Sequence, residues 1–156
     1  SFEEIMIFGI VLNITAGIGA FLMGFLDDKL GGKKTIQISL VFLIIAGFIA
    51  ILAPNKQLFW VAGVMVGIFS GPNQSASRSL MGRFIPAGKE NEFFGFYAFS
   101  GKMTAFFGPL LLGILTDIFH SQRAGVSIVI LLFIIGSILL KTVNEKEGIL
   151  QAERNL

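Results

Sequence analysis

Cysteine is absent, and histidine occurs once, at His120. These two scarcities exclude a disulfide framework, a thiolate nucleophile and a His or Cys metal cluster. Charge is scarce as well. Only 14% of the 156 residues are Asp, Glu, Lys or Arg, against about 25% in a soluble domain. There is no nucleophile–base pair, and neither "GKK" nor "SGK" completes the G-x-x-x-x-G-K-[ST] phosphate loop. An enzyme is therefore not expected, and neither a cofactor nor a bound metal is. The opening "SFEEIMIF" has acids where a secretory signal has a basic region. The chain is expected to begin inside a longer polypeptide.

What the sequence has in abundance is apolar length: 54% of it is hydrophobic, with a mean hydropathy of +0.80. Crossing a bilayer core of about 30 Å takes roughly 20 such residues. Five stretches meet this, at 5–26, 36–53, 58–84, 93–119 and 125–143. They predict an all-α polytopic membrane protein whose first partner is the lipid bilayer. Residues 1–143 form the transmembrane bundle and residues 144–156 a short charged tail, with its conformation left open between a helix extension and disorder.

The net charge of +2 does not point to nucleic acid, because the cations sit in short loops between apolar runs. Alternate loops carry Lys29, Lys33 and Lys34, then Arg83 and Lys89, then Lys141 and Lys146. The other loops carry only Lys56, Arg123 and His120. The positive-inside bias puts the richer set, and the C-terminus, in the cytoplasm of a protein of the cell membrane. Five spans starting outside again imply an earlier span.

Polarity sorts the spans. The second and fifth are apolar almost all round, which suits lipid contact. The first carries Asn13 and Thr15 among glycines, the third "SGPNQSASRSL", and the fourth Ser100, Lys102 and Thr104. Small residues allow close packing, and buried polar groups face a bundle interior or a wet cavity. Spans one, three and four are therefore expected to pack together, with two and five outside them. Gly71–Pro72 is expected to interrupt the third span about 18 Å from Arg83, near the membrane midplane. Such an interruption either frees backbone groups beside a substrate site or only kinks the helix.

The loop "GFLDDKLGGKK", residues 24–34, resembles the signature G-x-x-x-D-[RK]-x-G-[RK]-[RK] of the major facilitator superfamily. Gly24, Asp28, Lys29, Gly31 and Lys33 match it, and Gly32 stands where that family often has Arg. The later stretch from Gly71 to Gly113 is similar to the unknown-major-facilitator branch related to autophagy-linked vacuolar amino-acid effluxers. Gln74, Ser77, Arg78, Ser79, Pro86, Glu92, Phe93, Gly95, Gly101, Lys102, Gly108 and Pro109 carry that likeness. The resemblance implies five spans equivalent to helices eight to twelve of a twelve-helix fold. It also implies an N-terminal half as partner, and a central cavity lined by spans one, three and four.

Asn13, Asn73, Gln74, Arg78, Lys102 and Thr104 are the candidates for that cavity. Lys102 lies about 13 Å along its span from Phe93, too deep to snorkel easily, and a lysine at that depth marks a functional site. It is read either as facing a cavity or as packed with an internal partner. Arg78, about 7.5 Å deeper than Arg83, is read as snorkelling to the cytoplasmic interface, as an ion-pairing residue or as a contact for an anionic group. Gln74 and Asn73 either bind a ligand or satisfy backbone freed by Pro72. Asp28 and Arg83 lie at one depth and are expected to pair as a cytoplasmic latch, with Gly24, Lys29, Gly31 and Lys33 shaping the loop. The leading function is part of a secondary transporter for a small polar solute, an amino acid being one candidate, working by alternating access. The alternative is a non-transporting structural or regulatory membrane protein that keeps the fold.

Overall fold

A computed structural model describes residues 2–154 of the chain, all of it helix and short connection. Six helices follow in order: α1 (Phe2–Leu30), α2 (Gly32–Leu52), α3 (Lys56–Arg83), α4 (Glu90–Phe119), α5 (Gln122–Thr142) and α6 (Glu145–Arg154). The five apolar stretches lie on the first five helices, none running more than one residue past its helix. Four helices, α1, α2, α4 and α5, are long and apolar enough to cross a bilayer. The protein is an all-α polytopic membrane protein. Helix α3 is long enough at 28 residues. It falls short in hydropathy because Asn73, Gln74, Arg78 and several serines dilute its second half.

Helix α3 is sandwiched between α1 and α2, α2 turns its other flank to α5, and α4 leans on α5. This corrects the order expected from polarity. Helix α2, expected at the periphery, is central and the most deeply buried. Helix α4, expected to join α1 and α3, buries no residue fully and touches α3 only slightly. The reason is side-chain size. Helix–helix association in lipid depends on close packing rather than on expelling apolar surface. Helix α2 supplies Gly32, Thr35, Ser39 and Ala46, all buried, in a step that lets two neighbours approach. Its lower half forms a cluster with α3, in which Ile36 and Leu40 meet Ala76 and Leu80 under Phe84, Phe133 and Leu140. Phe42 stacks on Phe69 with ring centroids 4.2 Å apart.

The α1–α3 contact is tighter still. A Cβ added to Gly19 would stand 1.9 Å from the Ile68 carbonyl oxygen, and one on Gly71 would stand 2.1 Å from that of Ala16. Backbone therefore rests on backbone. Pro72, buried inside α3, explains part of this. Having no N–H, it leaves the Ile68 carbonyl one turn earlier without its helical donor, and that carbonyl is the one facing Gly19. Contrary to the expected interruption, α3 runs through Gly71–Pro72 as one helix.

The tail is helical from Glu145 to Arg154, and α6 rests on α3, where Gly148 meets the Phe84 ring. At the opposite end of the bundle, Lys56 pairs with Glu4. Arg123 donates to the Ala53 carbonyl at 3.0 Å, closing the C-terminus of α2.

Candidate functional sites

Two sites emerge, a side groove and a charged knot at the lysine-rich end. The groove runs between the second half of α3 and the first half of α4, with a volume of about 850 Å³. Gln74 and Arg78, one helical turn apart on α3, face Phe94, Tyr97, Lys102 and Thr104 of α4. Four of the six predicted cavity residues are thereby brought together. The other two are not. Asn73 turns the other way and donates to Ser39 Oγ at 2.8 Å, tying α3 to α2. Ser39 is fully buried and itself donates to the Ile36 carbonyl. Asn13 is exposed on α1 and donates to the Gly9 carbonyl of its own helix. Phe94 and Tyr97 had escaped notice. An aromatic pair on a helix start resembles any other apolar stripe until the facing helix is known.

Arg78 and Lys102 are exposed in the groove, and among the described residues neither makes a hydrogen bond or an ion pair. The groove hydroxyls are differently occupied. Ser100 donates to the Tyr97 carbonyl at 2.9 Å and Thr104 to that of Ser100 at 2.8 Å.

The charged knot gathers five helices, α1, α2, α3, α5 and α6. Gly31 turns the chain between α1 and α2 with φ of 86°, a region glycine enters without strain. The open N-terminus of α2 is then covered from 113 residues away. Glu145 accepts from the backbone N–H of Gly32 at 3.0 Å and of Lys33 at 3.3 Å. Its negative charge sits where the helix dipole favours it. Lys33 reaches the reverse way, donating to the carbonyls of Lys141 and Val143 at 2.9 and 2.6 Å, and so closes α5. Arg83 completes the knot, 3.3 Å from Asp27 Oδ2 and 3.7 Å from Glu145 Oε1.

The expected Asp28–Arg83 latch is thus corrected by one residue. A step along a helix turns a side chain by about 100°, and it is Asp27 that faces Arg83, while Asp28 is exposed. Lys29 and Lys34 are exposed too, and Gly24 has nothing within 4 Å of an added Cβ. Asp27 Oδ1 is buried with no hydrogen-bond partner among the described residues. Asp27→Asn weakens the bond to Arg83, and its expected cost is about 2 kcal/mol, that of a hydrogen bond to a charged group. Asp28→Asn should stay within about 0.5 kcal/mol. Thermal unfolding of the two variants in detergent compares them directly. Equal losses would refute the one-residue correction.

Comparison with known proteins now adds to this geometry. The family model described as "Vacuole effluxer Atg22 like" matches residues 1–153. The chain belongs to the Atg22-like family. Among its curated relatives is an uncharacterized MFS-type transporter, YxiO of Bacillus subtilis, 29% identical over 144 residues. That alignment covers 92% of this chain and 34% of the relative. Autophagy-related protein 22 of Eremothecium gossypii is 30% identical over 164 residues, covering 96% of this chain and 32% of that protein. The one from Candida glabrata is 33% identical over 94 residues, covering 60% and 17%. The chain therefore spans about a third or less of the length of these relatives. No solved structure matches significantly. The major facilitator likeness of the 24–34 loop agrees with this Atg22-like membership, and the family is named for effluxers rather than for a catalytic activity.

Proposed function

We propose that the chain is the C-terminal part of a two-half secondary transporter that moves a small polar solute by alternating access. The groove is the observation that carries this. It sets Gln74, Lys102 and Thr104 well inside two facing helices, with Arg78 one turn nearer the Arg83 end, and polar groups within a span are costly unless they serve a pathway. Family membership supports the reading, since a relative is named a transporter and the family model an effluxer. In this proposal α3 is a fifth crossing helix, carried by α1 and α2. The lysine-rich end faces the cytoplasm of a cell-membrane protein, and the charged knot braces that end while an N-terminal half rocks against it. A non-transporting membrane module draws support from one observation, that Asn13 stands apart from the groove.

Reconstitution separates the two. The complete polypeptide carrying this chain is expected to give saturable solute uptake into proteoliposomes, and residues 1–156 alone to give none. Uptake by the short chain would overturn the two-half reading. A well-folded complete protein that carries no solute in a broad screen would favour the module.

A further inference from the structure

Helix α4 is fastened to α5 unevenly. Near the start of α5, a Cβ added to Gly125 would stand 2.3 Å from Thr116 Oγ1 and 2.8 Å from the Leu112 carbonyl oxygen of α4. Gly136 follows about three turns later, on the same face of α5, and a Cβ there would meet nothing within 4 Å. The two helices close at the turn through Ser121 and spread toward the lysine-rich end. The gap is an apolar pocket of about 330 Å³ among α2, α3, α4 and α5, with Leu40, Met81, Phe84, Tyr97, Gly136 and Leu140 in its wall. All four walls are helices of this chain. A single turn of helix about 10 Å wide occupies about 420 Å³, more than the pocket holds, so a further helix laid against the bundle does not fill it.

Water does not suit this pocket. Ser77 and Tyr97 carry its polar side-chain atoms, and the Ser77 hydroxyl is spent on the Asn73 carbonyl at 2.6 Å. A buried water needs about two to four polar partners, while an unfilled apolar void forfeits dispersion contact along its walls. The bilayer supplies what fits, a slender chain of methylene groups. The depth fits as well. Along their helix axes, Gly136 lies about 7.5 Å from Lys141 and Tyr97 about 12 Å from Lys89, and both lysines are exposed. The pocket therefore begins just beneath the lysine-rich interface, at the level where a phospholipid carries its phosphate. We propose that it is a lipid site, in which one acyl chain of a phospholipid lies among α2, α3, α4 and α5 with its phosphate beside Lys141. Recognition needs a phosphate and a chain, which every phospholipid has whatever its net charge. Tyr97 lines both this pocket and the polar groove, so the bound chain sets how far α4 stands from α3.

The lipid site needs the membrane placement and not the transporter reading. The complete polypeptide is reconstituted, without solute, into phosphatidylcholine vesicles that include a phosphatidylcholine with a photoreactive diazirine on one acyl chain. After irradiation and digestion, the labelled residues are located by mass spectrometry. Adducts are expected on pocket residues, Leu40, Tyr97 and Leu140 among them, as well as on outward-facing ones such as Ile138 and Leu139. Gly136→Leu fills the pocket and is expected to remove the pocket adducts while keeping the outward ones. Gly136→Ala leaves room and should keep both. Lys141→Gln should lower the pocket adducts alone. Adducts confined to the outward faces overturn the proposal, and so do pocket adducts that persist at full yield in Gly136→Leu. Pocket adducts unchanged in Lys141→Gln overturn the placement of the phosphate. The unsubstituted protein decides the central point by itself, so a leucine variant that fails to fold leaves the proposal open to refutation.

Discussion

Gly19→Val is expected to separate α1 from α3 and to cost about 3 kcal/mol, the upper part of the range for overfilling a packed interface. The clash is with backbone, so no rotamer change relieves it. The new Cβ would lie 1.9 Å from the Ile68 oxygen, 2.7 Å from its carbon and 3.0 Å from its Cα. Either α1 moves outward along its length or the helix pair fails to form. Gly17→Val, two residues earlier, is the matched control, because a Cβ there meets nothing within 4 Å. Unfolding of both variants in a graded mixture of mild detergent and dodecyl sulfate reads the difference. If Gly19→Val unfolds with Gly17→Val, the backbone-to-backbone contact is not what holds the pair.

Glu145→Ala is expected to produce the second large loss, about 2–3 kcal/mol. One side chain there receives two backbone N–H groups and faces an arginine, and charge-assisted contacts of this kind contribute about 1.5–3 kcal/mol before overlap between them. Removing the carboxylate leaves the first N–H groups of α2 without their acceptor and Arg83 with Asp27 and the Ser79 hydroxyl. Glu145→Gln should fall between, since an amide oxygen still accepts one bond without bringing charge. Thermal unfolding gives the order, and hydrogen exchange at the Gly32 and Lys33 amides locates the damage. Unchanged exchange at those two amides would mean that the cap contributes nothing.

The helices themselves were legible in the sequence, because apolar length is a local property. Their arrangement was less so. Polarity marks a face that needs water, a ligand or a partner, and it says little about which helix a neighbour can approach most closely. Helix α2 looked suited to lipid, yet Ser39 and Ala46 leave no accessible surface. Helix α4 looked suited to the interior, yet its Lys102 and Thr104 face an open groove. Gln74, Arg78 and Lys102 were expected at one cavity because polar residues inside apolar spans need a common wet face, and they do line one groove. Glu145 was not foreseen: nothing near it in sequence reveals that its partners are 112 and 113 positions away. The choice of Asp27 over Asp28 was hidden for a different reason. The loop pattern fixes which residue types are present, whereas the facing of each one depends on where α1 sits against α3.

The absent N–H of Pro72 also has a mechanical meaning. A helix resists bending through its ladder of axial hydrogen bonds, and α3 lacks one rung at the level of Ile68. Above that level α3 is fastened to α1 through Gly63 and Gly67, and within the gap itself through Gly71 and Ile68. Below it α3 is fastened to α2 through Asn73, Ala76 and Leu80, with the Arg83–Asp27 pair as its lower tie to α1. The rung is thus missing where the α1 backbone rests against Ile68 and Gly71, so at that level contact with α1, rather than the ladder of α3 itself, supplies the stiffness.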